Sequence, residues 1–311
     1  MLDVKRLRVL REVAARGSFS AAADALSYTQ SAVSQQIAAL EREAGTSLVD
    51  RGARGVRLTD AGRALVVHAD AILARLAAAE RELEAIAGLH GGHLRLVAFP
   101  SAASSLMPIA IAEFRRRHPA VELSLEPREP DPAIACVKSG ECDVALSIEP
   151  SFRPLEDPGV TKERLLDDPM FLVLPKEHPL ARKPGLRLED LAEESWIQGS
   201  MATCPDTSIL LRACNSAGFE PRIAFQSDDY TAIQGFIAAG VGVSLIPDLA
   251  LMSVRDDIVI RDLGAQAPAR RIFAATLSEC SRSPATQAMV DILGAVGRDY
   301  EAGRRRLALA S

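Results

Sequence analysis

Hydrophobic positions at the start of the chain recur at helical spacing. Met1-Leu2-Asp3-Val4-Lys5-Arg6-Leu7-Arg8 starts an amphipathic helix. After Gly17 an alanine-rich stretch predicts a second, short helix, with Ser18 or Ser20 as its cap. A side-chain oxygen at that position satisfies free amides at a helix start. Ser27-Tyr28-Thr29 supplies a tight turn and the next cap. In the helix that follows, Val33, Ile37 and Leu40 fall at i, i+4 and i+7 and face inward, while Gln30, Ser31, Ser34 and Gln35 fall on the other side. The pattern is a helix-turn-helix whose second helix shows a polar face. Small hydroxyls and amides on such a face approach base edges and phosphates closely, and glutamine pairs bidentately with adenine.

Gly45 ends the helical run, and residues 47–51 and 56–58 read as two short strands turning at 52–55. This is a wing carrying Arg51, Arg54 and Arg57. Arginines there contact phosphates or enter a minor groove; the blander alternative is a solvated turn. Thr59 caps a long helix over residues 60–87, with apolar Leu65, Ala69, Ile72, Leu76, Ala79, Leu83 and Ile86. Their alternating spacing of four and three is a heptad seam, which predicts a dimerisation helix rather than a face packed only on its own body. Residues 88–93 form a glycine-rich hinge. His90 and His93 there have no cysteine or carboxylate beside them, so no metal is expected.

From Val4 to about Leu65 the chain resembles the DNA-binding head of LysR-type transcriptional regulators. The resemblance rests on Leu26, Gln30, Ala32-Val33-Ser34, Ile37, Leu40-Glu41, Gly45, Leu48, Arg51 and Leu58-Thr59-Asp60-Ala61-Gly62. Ser31 stands where many relatives carry proline, and both residues suit a helix start. Gln35 stands where a basic residue is frequent in the family, which implies one weaker contact to DNA. Charge agrees with the division. The whole chain carries −5, but residues 1–63 hold ten Lys and Arg against seven Asp and Glu, leaving the rest at −8.

Beyond residue 93 the pattern changes to alternating strands and helices. Strands are predicted at 93–99, 121–126, 143–148, 170–174, 195–198, 222–225, 243–246, 258–263 and 271–276, and helices at 106–117, 132–138, 208–217 and 230–239, with a terminal helix opened by Ser283-Pro284. This alternation argues for parallel sheets covered by helices. The body resembles the LysR-type effector domain, itself similar to periplasmic solute-binding proteins. The carrying fragments are Leu106-Met107-Pro108, Phe114-Arg115-Arg116-Arg117-His118-Pro119, Gly140-Glu141-Cys142-Asp143-Val144-Ala145-Leu146, Leu174-Pro175-Lys176-Glu177-His178-Pro179-Leu180 and Ala239-Gly240-Val241-Gly242-Val243-Ser244-Leu245-Ile246-Pro247. The expected organisation is a winged helix-turn-helix at 1–62, a dimerisation helix and hinge at 63–90, and a two-lobe α/β effector domain at 91–311. Lobe 1 takes about 91–164 and 268–302, and lobe 2 about 165–267. The crossings are expected near 161–166 and 263–270.

In open parallel sheets ligands sit beyond the carboxyl ends of strands, near helix N-termini. Residues 100–105, 199–204 and 226–230 follow strands in this way. The candidate effector contacts are Pro100, Ser101, Ala102, Ser147, Ile148, Ser200, Met201, Thr203, Cys204, Asp228 and Tyr230, with ordinary helix capping as the alternative for any one of them. This pocket offers hydroxyls, a thioether, a thiol and an aromatic, with no evident Arg or Lys, and so predicts a neutral or weakly anionic ligand. Five cysteines and the lack of a secretory core at the N-terminus predict a cytoplasmic chain with reduced thiols. The peroxide-sensing branch of the family places a redox pair near Cys204 and Cys214, which makes thiol sensing the alternative function. Ten residues of intact helix span about 15 Å, beyond disulfide reach.

No GxSxG, HExxH or P-loop occurs, so no enzyme and no catalytic residue is expected. No cofactor is expected and no apolar run spans a bilayer. The resemblance implies double-stranded operator DNA, a small-molecule effector, a homodimer or homotetramer, and RNA polymerase as partners.

Overall fold

The computed structural model describes residues 1–52, 55–86, 92–150, 159–199, 205–277 and 282–310. The chain divides into two compact units. One holds residues 1–92 with 136–141, the other residues 93–135 with 142–311.

The first unit opens with α1 (Val4–Arg16), whose cap Asp3 accepts the Lys5 amide at 2.7 Å. α2 (Phe19–Leu26) is capped by Ser18, so the first of the two candidate serines takes that role. Ser27 turns the chain with a left-handed φ of 56°. α3 (Gln30–Ala44) is capped by Thr29, which accepts the Ala32 amide at 3.2 Å. Val33, Ile37 and Leu40 are wholly buried against Leu7, Leu10, Val13, Phe19 and Leu48. β1 (Val49–Gly52) and β2 (Gly55–Leu58) pair antiparallel, Val49 opposite Leu58. Glu41 of α3 anchors this hairpin by accepting the amides of Leu48 at 2.8 Å and Val49 at 3.3 Å.

α4 (Asp60–Ile86) follows, with Thr59 accepting the Gly62 amide at 3.0 Å and donating to the Ser47 carbonyl at 2.8 Å. The heptad seam divides along this helix. Leu65 and Ala69 pack into the head's own core, so these two positions are not free for a partner. Ile72, Leu76 and Leu83 are 40%, 43% and 65% exposed.

In the second unit, β3 (His93–Ala98), β4 (Glu122–Pro127) and β5 (Val144–Pro150) pair parallel, while β11 (Ala269–Leu277) and the long β6 (Val160–Pro175) join antiparallel. α5 (Pro100–Arg117), α6 (Pro130–Lys138) and α9 (Pro284–Ala310) belong to the same unit apart from the end of α6. In lobe 2, β7 (Ser195–Gln198) pairs parallel with β8 (Arg222–Gln226), and β9 (Ser244–Pro247) and β10 (Ile258–Arg261) flank the second half of β6 antiparallel. α7 (Pro205–Ser216) and α8 (Tyr230–Ala238) complete the elements described.

The sheets are therefore mixed, where the alternation alone predicts parallel ones. The cause is β6 and β11, two strands that the chain contributes to close the lobes rather than to extend a βαβ series. Residues 161–166 are not a crossing either. They pair with β11, and β6 passes to β9 only at Met170. α5 starts six residues before the expected 106, at Pro100, because proline suits a first helical turn. Pro108 within it removes a donor, and Ser104 and Ser105 hydroxyls donate to the Ser101 carbonyl at 3.1 and 2.6 Å one turn earlier.

Candidate functional site

Two surfaces are candidates for the chemistry of this chain. On the head, the α3 face opposite the buried Val33–Ile37–Leu40 stripe shows exposed Gln30, Ser31 and Gln35, with Ser34 half-buried. Ser31 Oγ lies 3.0 Å from the capping Thr29 hydroxyl, which holds the first turn together. Gln36 is turned away, accepting from Arg6 Nε at 3.3 Å. On the hairpin Arg57 is exposed. Arg51 lies in β1, and Arg54 lies outside the described residues.

The second surface is built around Arg270, a residue that the sequence reading passed over. It opens β11 at the point where the chain returns from lobe 2. Its guanidinium is 1% exposed, yet every side of it is held. Nε donates to Asp168 Oδ2 at 2.9 Å on β6, Nη1 to Asp206 Oδ2 at 2.7 Å on α7, and Nη2 to Ser101 Oγ at 2.7 Å on α5. Its Cζ lies 5.1 Å from the centre of the Phe99 ring. Asp168 also accepts the Leu249 amide at 3.1 Å, and the Tyr230 hydroxyl donates to the same Asp206 oxygen as Arg270. One planar cation thus ties α5 of lobe 1 to α7 of lobe 2 at the crossing strands.

Burial opposes the charge on Arg270, but Asp206 and Asp168 outweigh it, so the guanidinium's pKa is raised. Burial pushes the Asp168 carboxyl up to about 6 against the pull of Arg270 and the Leu249 amide. The half-buried Glu129 is raised too, by desolvation and then by Asp228 and Asp206.

Between the lobes lies a cavity of ≈ 50 Å³. Its wall includes Phe99, Pro100, Ser101, Glu129, Ile148, Gln198, Gly199, Asp206, Thr207, Leu210, Ser227, Asp228, Tyr230, Ile233, Ser244, Leu245 and Arg270. A typical ligand site holds about 300 Å³ or more, so this space is small beside one. Pro100, Ser101, Ile148, Asp228 and Tyr230 are brought together in this wall as expected from the sequence. Ala102 and Ser147 are not. Ala102 is wholly buried on the core side of α5, and Ser147 points to the Pro130 carbonyl at 3.5 Å. Successive side chains of a strand point to opposite faces, so Ser147 turns away where Ile148 lines the wall, while Ala102 sits on the face of α5 that packs into the core. Ser200, Met201, Thr203 and Cys204 lie outside the described residues. The expectation of a pocket without Arg or Lys is overturned by Arg270, whose position 170 residues beyond Pro100 leaves no local signal in the chain.

Cys214 sits inside α7 with its side chain wholly buried in the lobe 2 core beside Leu210 and Trp196. Burial pushes its thiol up to about 12, so it carries no thiolate at neutral pH. Among the described residues no group of three or more metal-ligating side chains occurs, and no helix is long and apolar enough to cross a membrane.

Residues 4–63 match the family model of the bacterial regulatory helix-turn-helix protein, lysR family, and residues 87–298 match that of the LysR substrate binding domain. The probable HTH-type transcriptional regulator LrrA of Synechococcus elongatus is 30% identical over 94% of this chain and 96% of its own length. The transcriptional dual regulator GltC of Bacillus subtilis is 31% identical over 79% of this chain and 81% of its own length. A full-length OxyR from Pseudomonas aeruginosa matches with a TM-score of 0.69 at 22% identity, over 94% of this chain and 95% of that one, which shows a shared fold. Two family models that together span both units, and a relative similar along nearly the whole chain, place this protein in the LysR family of transcriptional regulators.

Proposed function

We propose that this regulator binds operator DNA as a homodimer or homotetramer and responds to a small molecule held between the two effector lobes, with RNA polymerase as the downstream partner. The observation that carries the switch is Arg270. Its guanidinium bonds at once to Ser101, Asp168 and Asp206, from three elements and both lobes. A ligand entering this cleft competes for those partners or adds to them, and so shifts the balance between open and closed lobes. Such a shift extends only as far as the ligand's differential affinity for the two states. Melting of the full-length protein against a metabolite library tests the placement. A compound that raises the melting temperature of the native chain is expected to lose that effect in Ser227→Trp, which fills the cavity wall. An equal shift in both proteins puts the effector elsewhere.

DNA reading is assigned to Gln30, Ser31, Ser34 and Gln35, with Arg51, Arg54 and Arg57 on phosphates or in the minor groove. Gln30→Ala is expected to weaken specific binding by about 1–3 kcal/mol and relax the preference at one base pair. Arg57→Ala is expected to weaken specific and random DNA alike and to lower the salt slope by about 1. Titrations at several salt concentrations separate the two. Equal loss on both DNAs for Gln30→Ala removes it from the reading face.

Dimerisation is assigned to the free part of the α4 seam, Ile72, Leu76 and Leu83, all exposed in the single chain. A buried aspartate without a partner is costly, so Leu76→Asp is expected to sediment as a monomer at concentrations where the native chain is a dimer. An unchanged dimer rules this seam out.

A further inference from the structure

The wall of the cleft carries more negative than positive side chains. Among its described residues stand three carboxylic side chains, Glu129, Asp206 and Asp228, against one guanidinium, Arg270. That guanidinium already spends one donor each on Ser101, Asp168 and Asp206, and its charge is met by the two aspartates at 2.9 and 2.7 Å. Its positive charge is therefore already shared between two aspartates before any ligand enters.

A second observation is independent of this count. Asp206 is only 9% exposed, and its Oδ1 is shut off from solvent with no hydrogen-bond partner, although Oδ2 has two. Gln198, a residue of the same wall, has a buried Oε1 that is equally without a partner. A buried carboxylate oxygen left unpaired costs free energy comparable to a lost charged hydrogen bond. Carboxylate is acceptor-only, so what completes Asp206 must be a donor. Glu129 lines the same space, and burial and then the negative charges of Asp228 and Asp206 raise its pKa, an opposition to its charged form that a cation between them relieves.

We propose that the effector of this regulator is an organic cation, an amine or guanidine, whose N–H donors are received by Asp206 Oδ1, Gln198 Oε1 and the Glu129 carboxyl. This rests on the cleft being the effector site. An ammonium or guanidinium supplies several N–H groups and a positive charge at one end, while the Phe99, Ile148, Leu210 and Leu245 side chains on the same wall receive an apolar body. An anionic ligand of the same size would meet the unpartnered Asp206 Oδ1 and Gln198 Oε1 and the like charge of the wall's carboxylates.

The test is a charge-matched panel read by thermal melting and calorimetric titration of the full-length protein at pH 7.5. Straight-chain amines, diamines, guanidines and quaternary ammonium ions of four to eight carbons are set against the diols and the mono- and dicarboxylates of the same lengths. The proteins are the native chain, Glu129→Gln and Ser227→Trp. At least one amine or guanidine is expected to bind the native chain, to bind Glu129→Gln at least tenfold more weakly, and to be lost in Ser227→Trp. Binding of a carboxylate in preference to every cation, abolished in Ser227→Trp, would leave the cleft as the effector site and overturn the cationic ligand. A cation that binds all three proteins equally sits outside the cleft and overturns the assignment, as does a panel in which no cation binds.

Discussion

Replacing Gly62 by alanine is expected to abolish operator binding through the fold of the head. A Cβ at this position would stand 2.0 Å from the Leu48 carbonyl oxygen and 3.0 Å from its carbon, both backbone atoms. That carbonyl is not free to move, since it accepts the Thr59 amide at 3.0 Å, and the Leu48 amide is held by Glu41. To admit a methyl group, the first turn of α4 must withdraw from the hairpin or the hairpin must leave α3. Either change displaces Leu48, a wholly enclosed member of the head core. Overpacking costs about 1–3 kcal/mol where side chains can yield, and a clash between two backbone segments belongs at or above the top of that range. Calorimetry of the full-length variant is expected to show the head transition shifted down or missing while the effector-domain transition stays in place, with gel-shift binding lost. Retention of both transitions and of binding would mean that the contact between α4 and the wing is looser than described.

The second large effect is at Arg270. Arg270→Leu leaves Asp168, 0% exposed, and Asp206 facing each other without the cation between them. Removing one partner of a buried ion pair costs about 3–5 kcal/mol because the other charge stays buried. The loss depends on pH in a defined direction. The folded-state pKa of Asp168 is already raised from 3.8 to about 6 by burial. A carboxyl raised on folding favours the native state fully below its unfolded value, and that contribution is lost as pH rises through the folded one. In the native chain this loss falls between about pH 4 and pH 6. Without Arg270 the pull that lowers Asp168 is gone, so the window moves upward. Arg270→Leu is thus expected to be least stable at pH 8 and to recover part of its loss at pH 5. Urea unfolding at the two pH values measures this. Arg270→Lys is expected to fall between, since one ammonium cannot present a planar fork to three elements. Equal losses at pH 5 and pH 8 would show that Asp168 is not the group left uncompensated.

What the sequence made legible follows from the range of the interactions involved. The head was readable almost residue by residue, because caps, turns and the Val33–Ile37–Leu40 stripe are local to a few turns of chain. The seam on α4 was readable as a period, but not the division within it. That Leu65 and Ala69 serve the head core depends on where α1 packs, which no spacing along α4 encodes. The mixed sheets were hidden for a similar reason. Strand propensity marks 170–174 and 271–276 as extended, leaves 160–169 unmarked, and says nothing of direction, which is set when both strands pass between lobes. Pro108 misplaced the start of α5, since a proline inside a helix reads from sequence as a boundary. In the cleft, residues just after strands were found and their charged counterparts were not. Ser101 and Tyr230 follow the rule that ligands gather beyond strand ends. Arg270 and Asp206 meet them from segments 64 positions apart, as partners in a network that only the tertiary fold brings together.

The central claim, a dimeric regulator reading DNA through α3, is met most directly by selection of random double-stranded DNA with the full-length native chain, followed by sequencing. Two identical heads joined through α4 predict an enriched inverted repeat whose half-site centres lie about 10–10.5 base pairs apart or a multiple of that. Enrichment of a single unrepeated half-site, or of no motif at all, would contradict it.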